Sequence, residues 1–163
     1  MCRFDLKEGG KEYRPQTFCF DGKRSAWRWQ GLAAPRPLYN LHLLKAYPNA
    51  IVVVCEGEKA ADAARKLLPA PDYVATTPMN GAMSPGKADW TPLQGRTVLV
   101  WHDNDDPGRG FALEVQRLAG ATTRVMDLDT FRTLPDGTVR ELPEKWDASD
   151  ALMEGYTSQQ VRD

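Results

Sequence analysis

Ile51-Val52-Val53-Val54-Cys55-Glu56-Gly57-Glu58 is the stretch that decides the fold. Its unbroken apolar, mostly β-branched run fits a strand buried on both faces, as strands of a parallel sheet are. The chain then enters a helical pattern. From Glu58 to Leu68, residues Ala60, Ala61, Ala64, Leu67 and Leu68 make one apolar stripe, which Pro69 ends. The same alternation continues outward. Residues 73–77 and 97–101 read as further strands, residues 108–118 as a helix and residues 124–128 as a fourth strand. Upstream, residues 38–46 fit a short helix stopped near Pro48; downstream, residues 148–154 and 157–162 look helical, with Thr157 as N-cap. Strands alternating with helices predict an α/β fold with a central, mainly parallel four-stranded sheet flanked by helices.

The first 37 residues read differently. Thr17-Phe18-Cys19-Phe20 and Ala26-Trp27-Arg28-Trp29 are short β-prone runs on either side of the turn signal Asp21-Gly22. Gly31, Pro35 and Pro37 then interrupt regular structure. The expected division is a basic and aromatic β-hairpin arm over residues 1–37 and the α/β domain over residues 38–163.

Composition narrows the class. The 163 residues suit one domain with a small appendage, and 42% hydrophobic with 26% charged is ordinary for a globular chain. A net charge of −1 gives no global basic field, so any nucleic-acid surface must be a local patch. No apolar run approaches a membrane span, and the start, MCRFDLKEGG, has no signal-peptide core. Cys2, Cys19 and Cys55 are widely spaced and form no zinc ligand set with His42 or His102. A reducing, cytoplasmic setting is expected, with no zinc and no membrane partner.

The acidic residues gather at strand ends. Glu56 and Glu58 follow one strand, and Asp103, Asp105 and Asp106 follow another; Asp147 and Asp150 sit in the later segment Trp146-Asp147-Ala148-Ser149-Asp150. In an open parallel sheet the C-terminal strand ends share one rim, where ligands bind. Carboxylates brought together there repel unless a cation or a proton neutralises them. Hard oxygen donors point to magnesium or manganese rather than zinc. Taken singly, Glu58 or Asp106 is an ordinary helix start; acids on both of the strongest strands at once argue for a site.

At these residues the chain resembles a known family. Val53 to Ala63 is similar to the glutamate motif of TOPRIM domains, and Val100-Trp101-His102-Asp103-Asn104-Asp105 to their D-x-D motif. Together with Trp-Asp-Ala-Ser-Asp at 146–150, the resemblance is to the TOPRIM part of phage and plasmid primases and primase-helicases, over about residues 38–155. It implies a Rossmann-like TOPRIM fold and Mg2+-dependent nucleotidyl transfer in primer synthesis on a single-stranded DNA template. Glu56 would be the acid/base residue. Asp103 and Asp105 would hold the metal, with Asp147, Asp150 and Glu58 as further ligands. Nucleotides, a replicative helicase and further domains of a parent protein are the implied partners. Primases of this kind also carry a basic subdomain and often a zinc module before TOPRIM, so this chain alone is expected to make primers poorly. A TOPRIM nuclease, or a non-catalytic nucleic-acid-binding or assembly module of a mobile element, are the alternatives.

Several basic residues complete the set. Residues 81–88, Gly-Ala-Met-Ser-Pro-Gly-Lys-Ala, nearly spell a phosphate-binding loop, but Ala88 lacks the required hydroxyl and Pro85 lacks an N–H. The better reading is a loop on the active rim in which Asn80 or Lys87 meets phosphate. Lys59 and Arg109 begin helices beside the acids and could do the same. In the arm, Trp27 and Trp29 with Arg24 and Arg28 could stack bases and hold a single strand. The competing reading has those aromatics sealing the hairpin while the charges are solvated.

Overall fold

The structure, a computed structural model, describes residues 2–81, 85–120 and 122–162. The chain divides into two compact units, Met1–Ala34 and Pro35–Asp163.

The first unit is two antiparallel hairpins. β1 (Cys2–Asp5) pairs with β2 (Lys11–Arg14), and β3 (Thr17–Phe20) with β4 (Ser25–Arg28). The second hairpin turns at Asp21, whose Oδ1 accepts the amides of Lys23 (3.0 Å) and Arg24 (2.9 Å). Register sets Phe18 opposite Trp27, and their rings lie 5.4 Å apart. Phe4 and Trp29 meet at 5.8 Å, with the Arg14 guanidinium over the Phe4 ring. The β1–β2 hairpin was not read from the sequence, although Gly9 and Gly10, both at positive φ, turn the chain there.

The second unit is built around a parallel sheet. Its strands are β5 (Ile51–Cys55), β6 (Tyr73–Thr76), β7 (Val98–Trp101) and β8 (Thr123–Val125), in the order β6-β5-β7-β8, with every neighbouring pair parallel. The helices are α1 (Leu41–Ala46), α2 (Glu58–Leu67), α3 (Asp106–Ala119), α4 (Ala148–Met153) and α5 (Ser158–Arg162). Thr157 caps α5, its hydroxyl accepting the Gln160 amide at 3.3 Å. Among the described residues, the 3-10 turns Pro85–Lys87 and Thr91–Leu93 lie in the long connection before β7.

Alternate residues of β5 explain its unbroken apolar run. Val53 and Cys55 pack with Ala60, Ala61, Ala64 and Leu67 of α2 and with Ala148 and Ala151 of α4. Val52 and Val54 face the opposite layer, with Leu44 of α1 and Phe111, Ala112 and Val115 of α3. Full burial of each valine is worth about 1.5–3 kcal/mol, so a polar residue on either face of β5 would be costly. The alanine stripe of α2 lets that helix lie close to the sheet, which fixes where Glu56 and Gly57 leave β5. Among the described residues, no helix is long and apolar enough to cross a membrane.

A candidate carboxylate site at the C-terminal rim

β5 and β7 are neighbours, with Cys55 opposite Trp101, so the segments after them leave the sheet side by side. Glu56 and Asp103 meet there. The Asp103 amide donates to Glu56 Oε1 at 2.9 Å. Two glycines make room for this contact. A Cβ on Gly108, the third residue of α3, would stand 2.2 Å from the Asp103 carbonyl oxygen and 2.7 Å from Glu56 Oε1. A Cβ on Gly81, at φ +55, would stand 2.3 Å from the Glu56 carbonyl oxygen. Only glycine lets α3 and the loop after β6 close down on Glu56 in this way.

Asn104 joins the rim to the distant acid segment. Its Nδ2 donates to the carbonyls of Leu142 (3.0 Å) and Pro143 (2.9 Å), its amide donates to the Trp146 carbonyl (3.0 Å), and its carbonyl accepts the Lys145 amide (3.1 Å). Trp146 is itself fixed. It packs on Phe131 at 4.9 Å, while its Nε1 donates to Glu154 Oε2 at 3.0 Å. Asp147, the next residue, is thereby brought to the rim.

The electrostatics follow from this convergence. Burial, reinforced by the charges on Glu56, Asp147, Asp105 and Asp150, pushes the Asp103 carboxyl from its ordinary 3.8 up to about 7. Glu56 is also raised, chiefly by burial; the Asp103 amide opposes the rise, and Asp105 and Asp147 add to it. Cys55, fully buried beneath them, is pushed strongly upward and stays a thiol. His102 turns its Nδ1 to the Asp103 carbonyl at 2.6 Å.

Several of the acids already serve the backbone. Asp105 is the N-cap of α3 and accepts the Gly108 amide at 2.7 Å. Asp147 and Asp150 form a reciprocal capping box at the start of α4. Accordingly, no group of three His, Cys, Asp or Glu side chains among the described residues is gathered closely enough to hold an ion as it stands. The donor chemistry nevertheless fits a hard cation: the acids felt by Asp103 supply only oxygen.

The remaining sequence-chosen residues lie as follows. Glu58, in the exposed first turn of α2, acts electrostatically on Tyr39 rather than on Asp103. Lys59 lines a separate groove between α2 and α4, with Lys66 and Ser149. Arg109 shares a cleft with Asn104, Asp105 and Asp106 and is ion-paired to Asp106. Asn80, at φ 69, and Lys87 are both exposed, on either side of the loop that passes Glu56. Residues 82–84 of the near phosphate-binding loop lie outside the described residues. In the arm, Trp27 and Trp29 are 64% and 59% exposed; Arg28 pairs with Asp21 at 3.2 Å, and Arg24 is solvated. Sequence reasoning missed Gly81, Gly108 and Asn104, because what each one touches is far away along the chain.

No family model matches the sequence, and no curated protein matches it. Solved structures do. The primase fragment of the bacteriophage T7 primase-helicase superposes with a TM-score of 0.52 at 16% identity, over 98% of this chain and 59% of that one. A chain from the complex of bacteriophage T7 lagging-strand DNA polymerase with primase domains bound to an RNA/DNA hybrid and dTTP matches with a TM-score of 0.53 at 20% identity, over 86% of this chain and 67% of that one. This chain thus spans about three fifths of the primase fragment. Likeness at such identities carries the fold, and the fold of this chain is the TOPRIM-like α/β fold of a phage primase fragment.

Proposed function

We propose that this chain is the TOPRIM catalytic module of a DNA primase, acting in Mg2+-dependent nucleotidyl transfer for primer synthesis. One observation carries the reading: Glu56 is tied to the Asp103 amide inside a cluster of carboxylates, where burial, reinforced by the neighbouring charges, raises Asp103 to about 7. Such a cluster is unfavourable in isolation and is neutralised by a divalent cation. Asp103 and Asp105 would hold the ion, with Asp147 or Asp150 joining after turning from their caps. Magnesium so held would polarise the phosphates of an incoming nucleotide.

The chain's own residues supply the rest. Glu56 has Oε1 fixed by the Asp103 amide, which leaves its second oxygen to take the proton of a primer 3′-hydroxyl. Its raised pKa makes it a better proton acceptor than an ordinary carboxylate. Asn80 and Lys87 would meet phosphates around the rim, as would Arg109 once freed from Asp106. The exposed Trp27 and Trp29, with Arg24 and Arg28, would hold the single-stranded template by stacking and charge.

The test is calorimetric titration of manganese into the wild type, Asp103→Asn and Glu56→Gln, with and without a nucleoside triphosphate, beside an assay of nucleotide addition on a single-stranded template. The reading expects weak binding that nucleotide strengthens, that Asp103→Asn abolishes and that Glu56→Gln largely keeps. No binding at millimolar manganese with nucleotide present would reject it in favour of a non-catalytic module. Strand cutting without synthesis would assign the same site to a nuclease.

A further inference from the structure

The sheet has a second rim, where its strands begin. There α1 and the turn Thr91–Leu93 border an open cavity of about 810 Å3, against about 320 Å3 for the cleft beside Asp105 and Arg109. Leu41, Leu44, Pro48 and Pro92 line it together with His42 and Gln94, and Lys45 and Arg96 bring cationic side chains to it. Arg96 is held in place by carbonyls alone: Leu44 at 3.1 Å, Tyr47 at 2.7 Å and Ala50 at 2.9 Å. Its Nε is buried with no partner. Among the described residues, no carboxylate pairs with Arg96 or Lys45. The sequence agrees, for residues 38–55 and 90–101, which supply the cavity, contain no Asp or Glu, although the whole chain has 22.

This combination selects a ligand. A pocket of this volume with apolar walls is large enough to bury a drug-sized group. Its uncompensated cations call for carboxylates. Its lining holds no Phe, Tyr or Trp, only the His42 imidazole, and two cations make a poor track for a nucleic-acid backbone. We propose that the cavity docks an acidic peptide segment of a partner protein, which inserts an apolar side chain between the leucine and proline walls and sets carboxylates against Lys45 and Arg96. The location suits such a partner. β5 begins beside the cavity and ends at the carboxylate rim, so about 15 Å of strand, at roughly 3.3 Å per residue, separates the two. A docked peptide therefore leaves Glu56 and Asp103 uncovered, and the inference stands whether or not the proposed function does.

The experiment uses fluorescein-labelled Asp-Asp-Leu-Asp-Phe-Asp and the full chain, read by anisotropy at low salt. An otherwise identical peptide with Asn for Asp is the first control and unlabelled oligo(dT) the second. Lys45→Glu and Leu41→Asp are the variants; both positions are exposed, and melting curves check that each variant folds as the wild type does. The acidic peptide should bind, about tenfold or more tightly than the Asn peptide, and each variant should weaken it about tenfold or more, with high salt doing the same. Equal binding of both peptides, binding that survives Lys45→Glu, or no binding of the acidic peptide at millimolar chain would overturn the proposal. Displacement by oligo(dT) would assign the cavity to nucleic acid instead. Self-association of the wild type that Lys45→Glu abolishes would assign it to a second copy.

Discussion

The Asp103 amide and the Glu56 carboxylate are joined at 2.9 Å across 47 positions of sequence. The bond fixes the orientation of a group at the end of one strand by the backbone at the end of its neighbour. Glutamine offers a carbonyl oxygen to the same amide, so Glu56→Gln should keep the rim intact and melt within a degree or two of the wild type. If Glu56 accepts the primer hydroxyl proton, nucleotide addition should nevertheless fall by about 10²–10⁴-fold. Turnover that survives the substitution would remove Glu56 from proton transfer.

Gly108 and Gly110 lie two residues apart in α3 and make opposite predictions. A Cβ on Gly108 would strike the Asp103 carbonyl and Glu56 Oε1, whereas a Cβ on Gly110 meets nothing within 4 Å. Gly110→Ala should therefore raise stability by about 0.5–1 kcal/mol, the ordinary gain from removing a glycine inside a helix. Gly108→Ala should lower it by about 1–3 kcal/mol, as overpacking does, and should displace the carboxylates. Urea denaturation of both variants decides. A neutral Gly108→Ala would mean that α3 shifts easily and that the rim is not tightly held.

How much of this was legible beforehand depends on range. The strands were legible because their β-branched runs are local, and the acids because they abut those runs. The pair Glu56 and Asp103 followed from one further rule, that parallel strands share a rim. The roles of Gly81, Gly108 and Asn104 were not legible: each is set by a close approach between segments remote in sequence. The capping box of Asp147 and Asp150 is in principle readable from their spacing, since an acid three residues after an N-cap acid can return its hydrogen bond. In the arm, the first hairpin was overlooked because its strands, Cys2–Asp5 and Lys11–Arg14, are rich in charge and lack an apolar run.

Asp103 makes stability depend on pH in a stated direction. Its carboxyl titrates near 7 in the fold and at its ordinary 3.8 when exposed. Between those values the folded chain holds a proton that the unfolded chain has released, so this group's contribution falls as pH rises from about 4 to 7 and is level above. Asp103→Asn removes the contribution. The variant should melt above the wild type at pH 8 and near it at pH 4, as differential scanning fluorimetry would show. Millimolar magnesium should raise the wild-type midpoint at pH 8 but not at pH 4.

Trp27 carries the arm's expected contact with a single strand. It is 64% exposed, so Trp27→Ala removes little buried surface and should leave the melting curve almost unchanged. If bases stack on it, affinity for oligo(dT) should fall by about 1–3 kcal/mol, and wild-type binding should weaken steeply with salt. Tryptophan fluorescence during titration is the direct readout. A folded variant that binds oligo(dT) as the wild type does would take Trp27 out of the interface.

Asp105 has two jobs that substitutions can separate. Its side chain caps α3 by accepting the Gly108 amide at 2.7 Å, and its charge adds to the repulsion felt by Asp103. Asparagine caps about as well as aspartate, so Asp105→Asn keeps the first job and loses the charge. That variant should be as stable as the wild type without metal, or more so, because it relieves repulsion. Asp105→Ala loses the cap and should be destabilised by about 0.5–2 kcal/mol relative to Asp105→Asn. If Asp105 is also a metal ligand, both variants should lose manganese affinity to a similar extent in calorimetric titration, despite their different stabilities. Wild-type affinity in Asp105→Asn, with loss only in Asp105→Ala, would make Asp105 a cap that merely positions the rim. The metal would then rest on Asp103 and on the acids of the α4 capping box.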